Sequence, residues 1–315
     1  MFRKVVVTVQ VRRVRVDGQV RTQRRADGEW EPADASLTPW DVLGRAWDAP
    51  APDAPAPDDP APNYSGSLLP FQPLSFRDFM LFEQHTIDAS RGLVRRFHPA
   101  QYRAARTVEL LTRRPFPAFR PHALLQEQPI YYLGNHLTFV PSGTDVRPPS
   151  YSSALDYELE LGFVLARPLL DATPEEATAA IGGFVVVNDL SARDVQRREM
   201  ASGFGPQKSK HFASSMSDVL VTADEVLPHV DALHGRVVVN GEVVSEVSTA
   251  GMRWSLGEVL AHASRSERLL PGELFATGTL PGGSGMETGR WIGPGDELEL
   301  VLDGVGRVAH RVLPA

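Results

Sequence analysis

YSSALDYELELGFVL (residues 151–165) alternates along its length. Leu155, Tyr157, Leu159, Leu161 and Phe163 hold one set of positions, and Asp156, Glu158 and Glu160 hold the other. A period of two is that of a β-strand. On that geometry the Glu158 and Glu160 carboxylates leave the same face, about 6–7 Å apart. Like charges so placed repel unless water or a cation separates them. The segment is therefore either a solvated outer face or one wall of a metal site. GDELELVLDG (295–304) repeats the pattern with Glu297 and Glu299 between turn signals, and reads as the wet side of an edge hairpin. The tetrapeptide ELEL decides nothing alone, so other residues must.

Composition narrows the choice. A chain of 315 residues, 42% hydrophobic and 23% charged, has the makeup of a soluble globular protein of one or two domains. A net charge of −7 and a pI near 5.7 argue against nucleic acid or an anionic membrane as partner. With no cysteine, thiolate nucleophiles, disulfides and Cys-based zinc sites are excluded, and oxygen and imidazole remain as metal ligands. No apolar stretch is long enough to span a bilayer. MFRKVVVTVQVRRVRV lacks the apolar core and cleavage site of a signal peptide, so a cytoplasmic location is expected. Of 32 basic residues only Lys4, Lys208 and Lys210 are lysines, and two of them fall in GPQKSKHF. An ammonium is a compact point charge that a guanidinium cannot replace at a crowded site.

Residues 1–66 read as a small N-terminal β element, with a turn at Asp17-Gly18, followed by a Pro/Ala/Asp-rich linker over 48–66. Residues 67–315 read as the compact domain. LSFRDFMLFEQHTIDASRGL (74–93) has helical spacing with Ser75 as its N-cap, which would put Asp78 and His85 on one face two turns apart. TPEEATAAIGG is a short helix opened by Pro174 and ending near Gly182. FVVVNDLSARDVQRREM is a buried strand, a sharp break at Asp189, and a helix begun by the capping pattern Ser191…Asp194. On that helix Arg193, Gln196 and Met200 share a face and present a cation and an amide to one mouth. RVVVNGEVV is a type I′ hairpin at Asn240-Gly241, and GMRWSLGEVLAHAS is an amphipathic helix. ATGTLPGGSGMETGRW is Gly-rich without the ending of a phosphate loop, and Thr279 and Glu287 are its chemical side chains. Taken singly, Asp189 reads as a turn carboxylate and His85 as a structural histidine.

Together these pieces resemble the fumarylacetoacetate hydrolase superfamily over about residues 70–310. The motifs are RDFMLFEQH, DYELELGFVL, GGFVVVNDLSARDVQ, KSKHF and ATGTLPGGSGMETGRW. The resemblance implies a β-rich α+β fold, a mixed β-sandwich roll with a small N-terminal element, assembled as a homodimer. It implies a divalent cation held by Asp78, Glu158, Glu160 and Asp189. An all-oxygen shell favours Mg²⁺, with Ca²⁺ or Mn²⁺ as alternatives, over zinc. It makes His85 the general base, Glu287 its orienting carboxylate, and Lys210 with Arg193, Gln196 and Thr279 the groups on the substrate's oxygens. The implied activity is hydrolysis of a carbon–carbon bond in a 1,3-dicarbonyl or acylpyruvate-type substrate. Decarboxylation, hydration or keto–enol tautomerisation of a 2-oxo acid is the alternative. Members that cleave fumarylacetoacetate carry active-site tyrosines where this chain has Met80 and Met200, and a third in the stretch matched to 134–138. The substitutions imply a more apolar acyl substituent.

Overall fold

The paired-glutamate strand is buried on both faces, and the rest of the molecule is arranged around it. The structure, a computed structural model, describes residues 9–16, 19–25, 28–32 and 68–315. The Asp17-Gly18 turn and the 48–66 linker lie outside the described residues. In chain order the strands are β1 (Gln10–Val16), β2 (Gln19–Arg25), β3 (Trp30–Pro32), β4 (Phe76–Phe79), β5 (Tyr131–Gly134) and β6 (Phe139–Pro141). Next come β7 (Leu155–Asp156), β8 (Leu159–Leu165), β9 (Ile181–Asn188), β10 (Ser191–Ala192), β11 (Ser214–Met216) and β12 (Val219–Thr222). The last are β13 (His234–Val239), β14 (Glu242–Ser248), β15 (Leu274–Ala276), β16 (Glu297–Leu302) and β17 (Gly306–Arg311).

An 11-stranded mixed sheet runs β3-β2-β1-β12-β9-β8-β15-β4-β5, with β11 beside β9 and β6 beside β11. A 4-stranded antiparallel sheet runs β14-β13-β16-β17, and β7 pairs with β10. The fold is thus α+β and β-rich. Through the β1–β12 pairing the N-terminal strands extend the large sheet. No helix among the described residues is long and apolar enough to cross a membrane.

The odd positions of β8, Leu159, Leu161, Phe163 and Leu165, face a core shared with Val237, Leu298, Leu300 and Val308 of the second sheet. The even face is not wet. Val164 packs there with Phe76, Val185, Val187 and Leu274, and only its first positions carry acids. Gly162 stands between acid and apolar ends because a Cβ there would meet Val187 Cγ2 at 2.6 Å. Because β8 is antiparallel to β9 and β15, and β15 is parallel to β4, the start of β8 and the ends of β9, β15 and β4 share one end of the sheet.

Several local expectations change. Residues 76–79 form a strand, not a helix: the backbone pairs with β15 and β5, and these non-local ladders override the i, i+3 spacing of Phe76, Phe79 and Phe82. The helix begins later, over Glu83–Phe97, and Ser75 caps nothing; its hydroxyl donates to Glu273 Oε2 at 2.7 Å. Ser191 does not cap the Arg193–Ala201 helix either. Its hydroxyl donates to the Asp189 carbonyl, and Asp194 accepts from Ser152 Oγ at 2.6 Å. The Pro174–Ala180 helix ends two residues before Gly182, as expected, and Gly182 already belongs to β9. The ELEL of 297–300 is in an interior strand, between β13 and β17, although Glu297 is exposed and Glu299 pairs with Arg307. The Asn240-Gly241 hairpin stands, with φ of 53° and 80° as a type I′ turn requires.

Phe163 stacks on Phe275 with ring centroids 5.6 Å apart and is fully buried. Phe163→Ala should cost about 3–5 kcal/mol. A urea melt should show a lower midpoint at unchanged slope; a loss below about 1 kcal/mol would contradict this packing.

Candidate functional site

The end of β4 supplies Asp78, the approach to and start of β8 supply Glu158 and Glu160, and the end of β9 supplies Asp189. All four are buried, which rules out the solvated-face reading of the glutamate pair. Asp78, Glu160 and Asp189 each bring an oxygen within 4.8 Å of the others. Burial and the neighbouring Asp189 raise the Asp78 carboxyl well above the usual carboxylate range. Burial and Asp78 do the same to Glu160. Asp78 Oδ1 and Glu160 Oε2 are buried with no hydrogen-bond partner in the protein. Unpartnered, mutually repelling oxygens of this kind fit a hard divalent cation, which takes oxygen ligands.

Glu158 stands differently. Its Oε1 accepts from Arg193 Nη2 at 2.7 Å and its Oε2 from Lys210 Nζ. Burial alone would raise its pKa, but Arg193 and Lys210 override it and hold the group below the usual range. Lys210 also donates to Asp189 Oδ2 at 2.6 Å, and the opposite oxygen of Asp189 accepts from Ser214. Burial disfavours the Lys210 ammonium, yet Asp189 and Glu158 raise its pKa. The structure therefore brings three of the four expected acids together and gives the fourth to two cations.

His85 lies in the first turn of the Glu83–Phe97 helix, with its Nδ1 3.1 Å from Glu287 Oε2, an ion-pair contact with imperfect N–H alignment. Burial, the largest single influence, would lower the imidazole pKa; the charge and hydrogen bonding of Glu287 together with the Glu158 charge outweigh it, and the pKa is raised. Glu287 is held by a capping box with Ser284 at the Gly285–Thr288 turn and also accepts from Gly282 N at 3.1 Å. The Gly-rich stretch is thus a fixed holder for one carboxylate rather than a plain loop.

Arg193 is buried and bonded through all three of its nitrogens. Nε donates to Asp156 at 2.7 Å, Nη2 to Glu158, and Nη1 to Gln196 Oε1 at 2.9 Å. It bonds all three groups and borders the same cavity as Gln196. Thr279 Oγ1 lies 3.5 Å from Glu160 Oε1. Asp78, Glu158, Glu160, His85, Arg193, Gln196, Lys210, Thr279, Met80 and Met200 all border one cavity of about 600 Å³. Two residues escaped the sequence reading. Asp156 anchors Arg193, and Tyr132 donates its phenol hydrogen to Asp189 Oδ2. Tyr132 lies two residues before the stretch matched to the missing third tyrosine; the β4–β5 register sets it opposite Asp78. A phenol therefore stands at this end of the sheet, bonded to Asp189, while Met80 and Met200 are apolar side chains at the cavity.

A family model described as fumarylacetoacetate (FAA) hydrolase C-terminal matches residues 103–313. The chain belongs to the fumarylacetoacetate hydrolase family. The mitochondrial oxaloacetate tautomerase of Rattus norvegicus is 32% identical over 186 residues, which cover 59% of this chain and 81% of the relative. A fumarylacetoacetate hydrolase from Exiguobacterium antarcticum has the same fold, with a TM-score of 0.67 and 21% identity over 98% of this chain and 100% of its own. The fold of fumarylpyruvate hydrolase from Pseudomonas aeruginosa, solved with Mn²⁺ and pyruvate, matches with a TM-score of 0.57 and 21% identity over 79% of this chain and 99% of its own. Family membership and the buried acidic cluster support a metal-dependent enzyme.

Burial and mutual repulsion shift Asp78 and Glu160 toward their protonated forms, from which a cation would displace protons. Titration calorimetry of Mn²⁺ in buffers of different ionisation enthalpy should therefore show proton release, with affinity falling as pH falls. Glu160→Gln should abolish the uptake. Binding without proton release would contradict the assigned site.

Proposed function

We propose that the protein hydrolyses a carbon–carbon bond in an acylpyruvate-type 2,4-dioxo acid, with a divalent ion at Asp78, Glu160 and Asp189. The observation that carries this reading is His85, backed by Glu287, at the same cavity as Asp78 and Glu160 of the three-acid cluster. A bound ion would supply a Lewis acid for the substrate's oxo oxygens. Mg²⁺ suits the donors, and the Mn²⁺ of the fumarylpyruvate hydrolase supports an ion of this class.

The chain's own residues supply the rest. With Nδ1 turned to Glu287, His85 Nε2 is the free nitrogen and takes a proton from water. The water oxygen bonds to the acyl carbonyl carbon. Gln196 and Lys210 face the alkoxide oxygen so formed and stabilise it. The bond between that carbon and the next then breaks, and its electron pair leaves as the enolate of pyruvate. His85 returns the proton to the enolate carbon, giving a carboxylic acid and pyruvate. Arg193 holds Gln196 and Glu158 in place throughout.

A second reading is proton transfer alone, the tautomerisation of an oxaloacetate-like acid, favoured by the relative that is 32% identical. There His85 would move a proton between carbon and oxygen without activating water. Product analysis separates the two: acylpyruvates should yield a free acid and pyruvate, whereas only deuterium exchange at the α-carbon would support tautomerisation.

His85→Ala should lower kcat by about two to four decades with Mn²⁺ uptake unchanged. Survival of activity would remove His85 as the base. The neutral imidazole is the active form and Glu287 favours the charged one. Glu287→Gln should therefore shift the acid limb of the kcat/KM profile to lower pH; a limb that stays in place would contradict the pairing.

A further inference from the structure

The cavity continues well past the acids. The Glu83–Phe97 helix borders it through three successive turns, first with His85, then with Ala89, then with Leu93 and Val94. At a rise of 1.5 Å per residue, Leu93 stands about 12 Å along the axis from His85. The Arg193–Ala201 helix borders the same space with Gln196 near the acids and Met200 a turn further on. Each helix thus presents polar chemistry at one end of the cavity and carbon at the other. Phe119, buried on the Pro117–Phe119 turn that packs against the first helix, adds an aromatic wall.

The ionised side chain on this far half is Arg197, and it is engaged elsewhere. Its Nη1 lies 3.1 Å from Nε2 of His98, the C-cap of the first helix, and its guanidinium sits over the Phe97 ring at 5.4 Å. A charged tail entering between Leu93, Val94, Phe119 and Met200 would lose hydration without a partner, whereas a hydrocarbon tail would gain from each methylene buried.

We infer that the acyl group of the substrate is an apolar chain, and that Ala89 and Leu93 measure its length. This rests on the acylpyruvate reading of the site. The test uses N-alkyl oxamates from methyl to octyl, which carry the oxo-acid head but no cleavable carbon–carbon bond. Titrated into the Mg²⁺-saturated full chain, they should bind about fourfold tighter per methylene until a break, then level off. Ala89→Leu should move the break to shorter tails and Leu93→Ala to longer ones, with melting temperatures reporting that both variants fold. A flat series or a break unmoved in both variants overturns the inference. So does failure of every member to bind. An ω-carboxyalkyl oxamate that binds tighter than its methyl-ended counterpart overturns it too and assigns the tail to Arg197. A graded series without acylpyruvate turnover supports the apolar tail and removes the hydrolytic reading; turnover with a flat series does the reverse.

Discussion

Five buried carboxylates, Asp78, Asp156, Glu158, Glu160 and Asp189, crowd one end of the large sheet, and the buried cations among them are Arg193 and Lys210. Desolvating an ion costs several kcal/mol even after relaxation, so each carboxylate must be paired, protonated or bound to a further cation. Arg193 bonds one oxygen of Asp156, whose other oxygen has no partner and whose pKa burial also raises, and takes half of Glu158. Lys210 settles the other half and reaches Asp189. Asp78 and Glu160 are left with orphaned oxygens and raised pKa values. A divalent ion is the remaining means of relieving the repulsion without giving up the charges. The orphaned oxygens and the crowding of these acids are thus the same feature that suits the cluster to a hard cation.

The fold serves that end by geometry. Antiparallel β9 and β15 flank β8, and parallel β4 lies beyond β15, so three distant segments deliver their acids to the same end of the sheet. The backbone there is fixed by ladders on both sides and by cores on both faces. Charges held so rigidly cannot move apart to lower their repulsion. The loop after β15 adds Thr279 and then Glu287, whose Oε2 accepts from Ser284 in the capping box and also faces His85. His85 and the acids Asp78 and Glu160 thereby border the same cavity.

The chain displays a limit of local reading in its two ELEL stretches. Both are strands and both were legible as such from their period. One is buried among acids and cations and the other pairs with Arg307 at the surface, a difference made by segments 30–120 residues away in sequence. Asp78 shows the same limit. Its phenylalanine neighbours have helical spacing, but β15 and β5 decide the backbone. Arg193 was legible as a cation near the site, though not as one consumed by Asp156, Glu158 and Gln196. Tyr132 carried no local signal; only the register of β5 on β4 brings its phenol to Asp189. The glutamate strand, the break at Asp189 and the lysine cluster were legible because each violates what composition or period would otherwise favour.

The central claim is that Asp78, Glu160 and Asp189 close around one divalent ion. Its most direct test is a crystal structure grown with Mn²⁺, with data collected near the manganese absorption edge. One anomalous peak bounded by those three side chains is the predicted result. A peak elsewhere, or none with Lys210 still bridging Glu158 and Asp189, would contradict it.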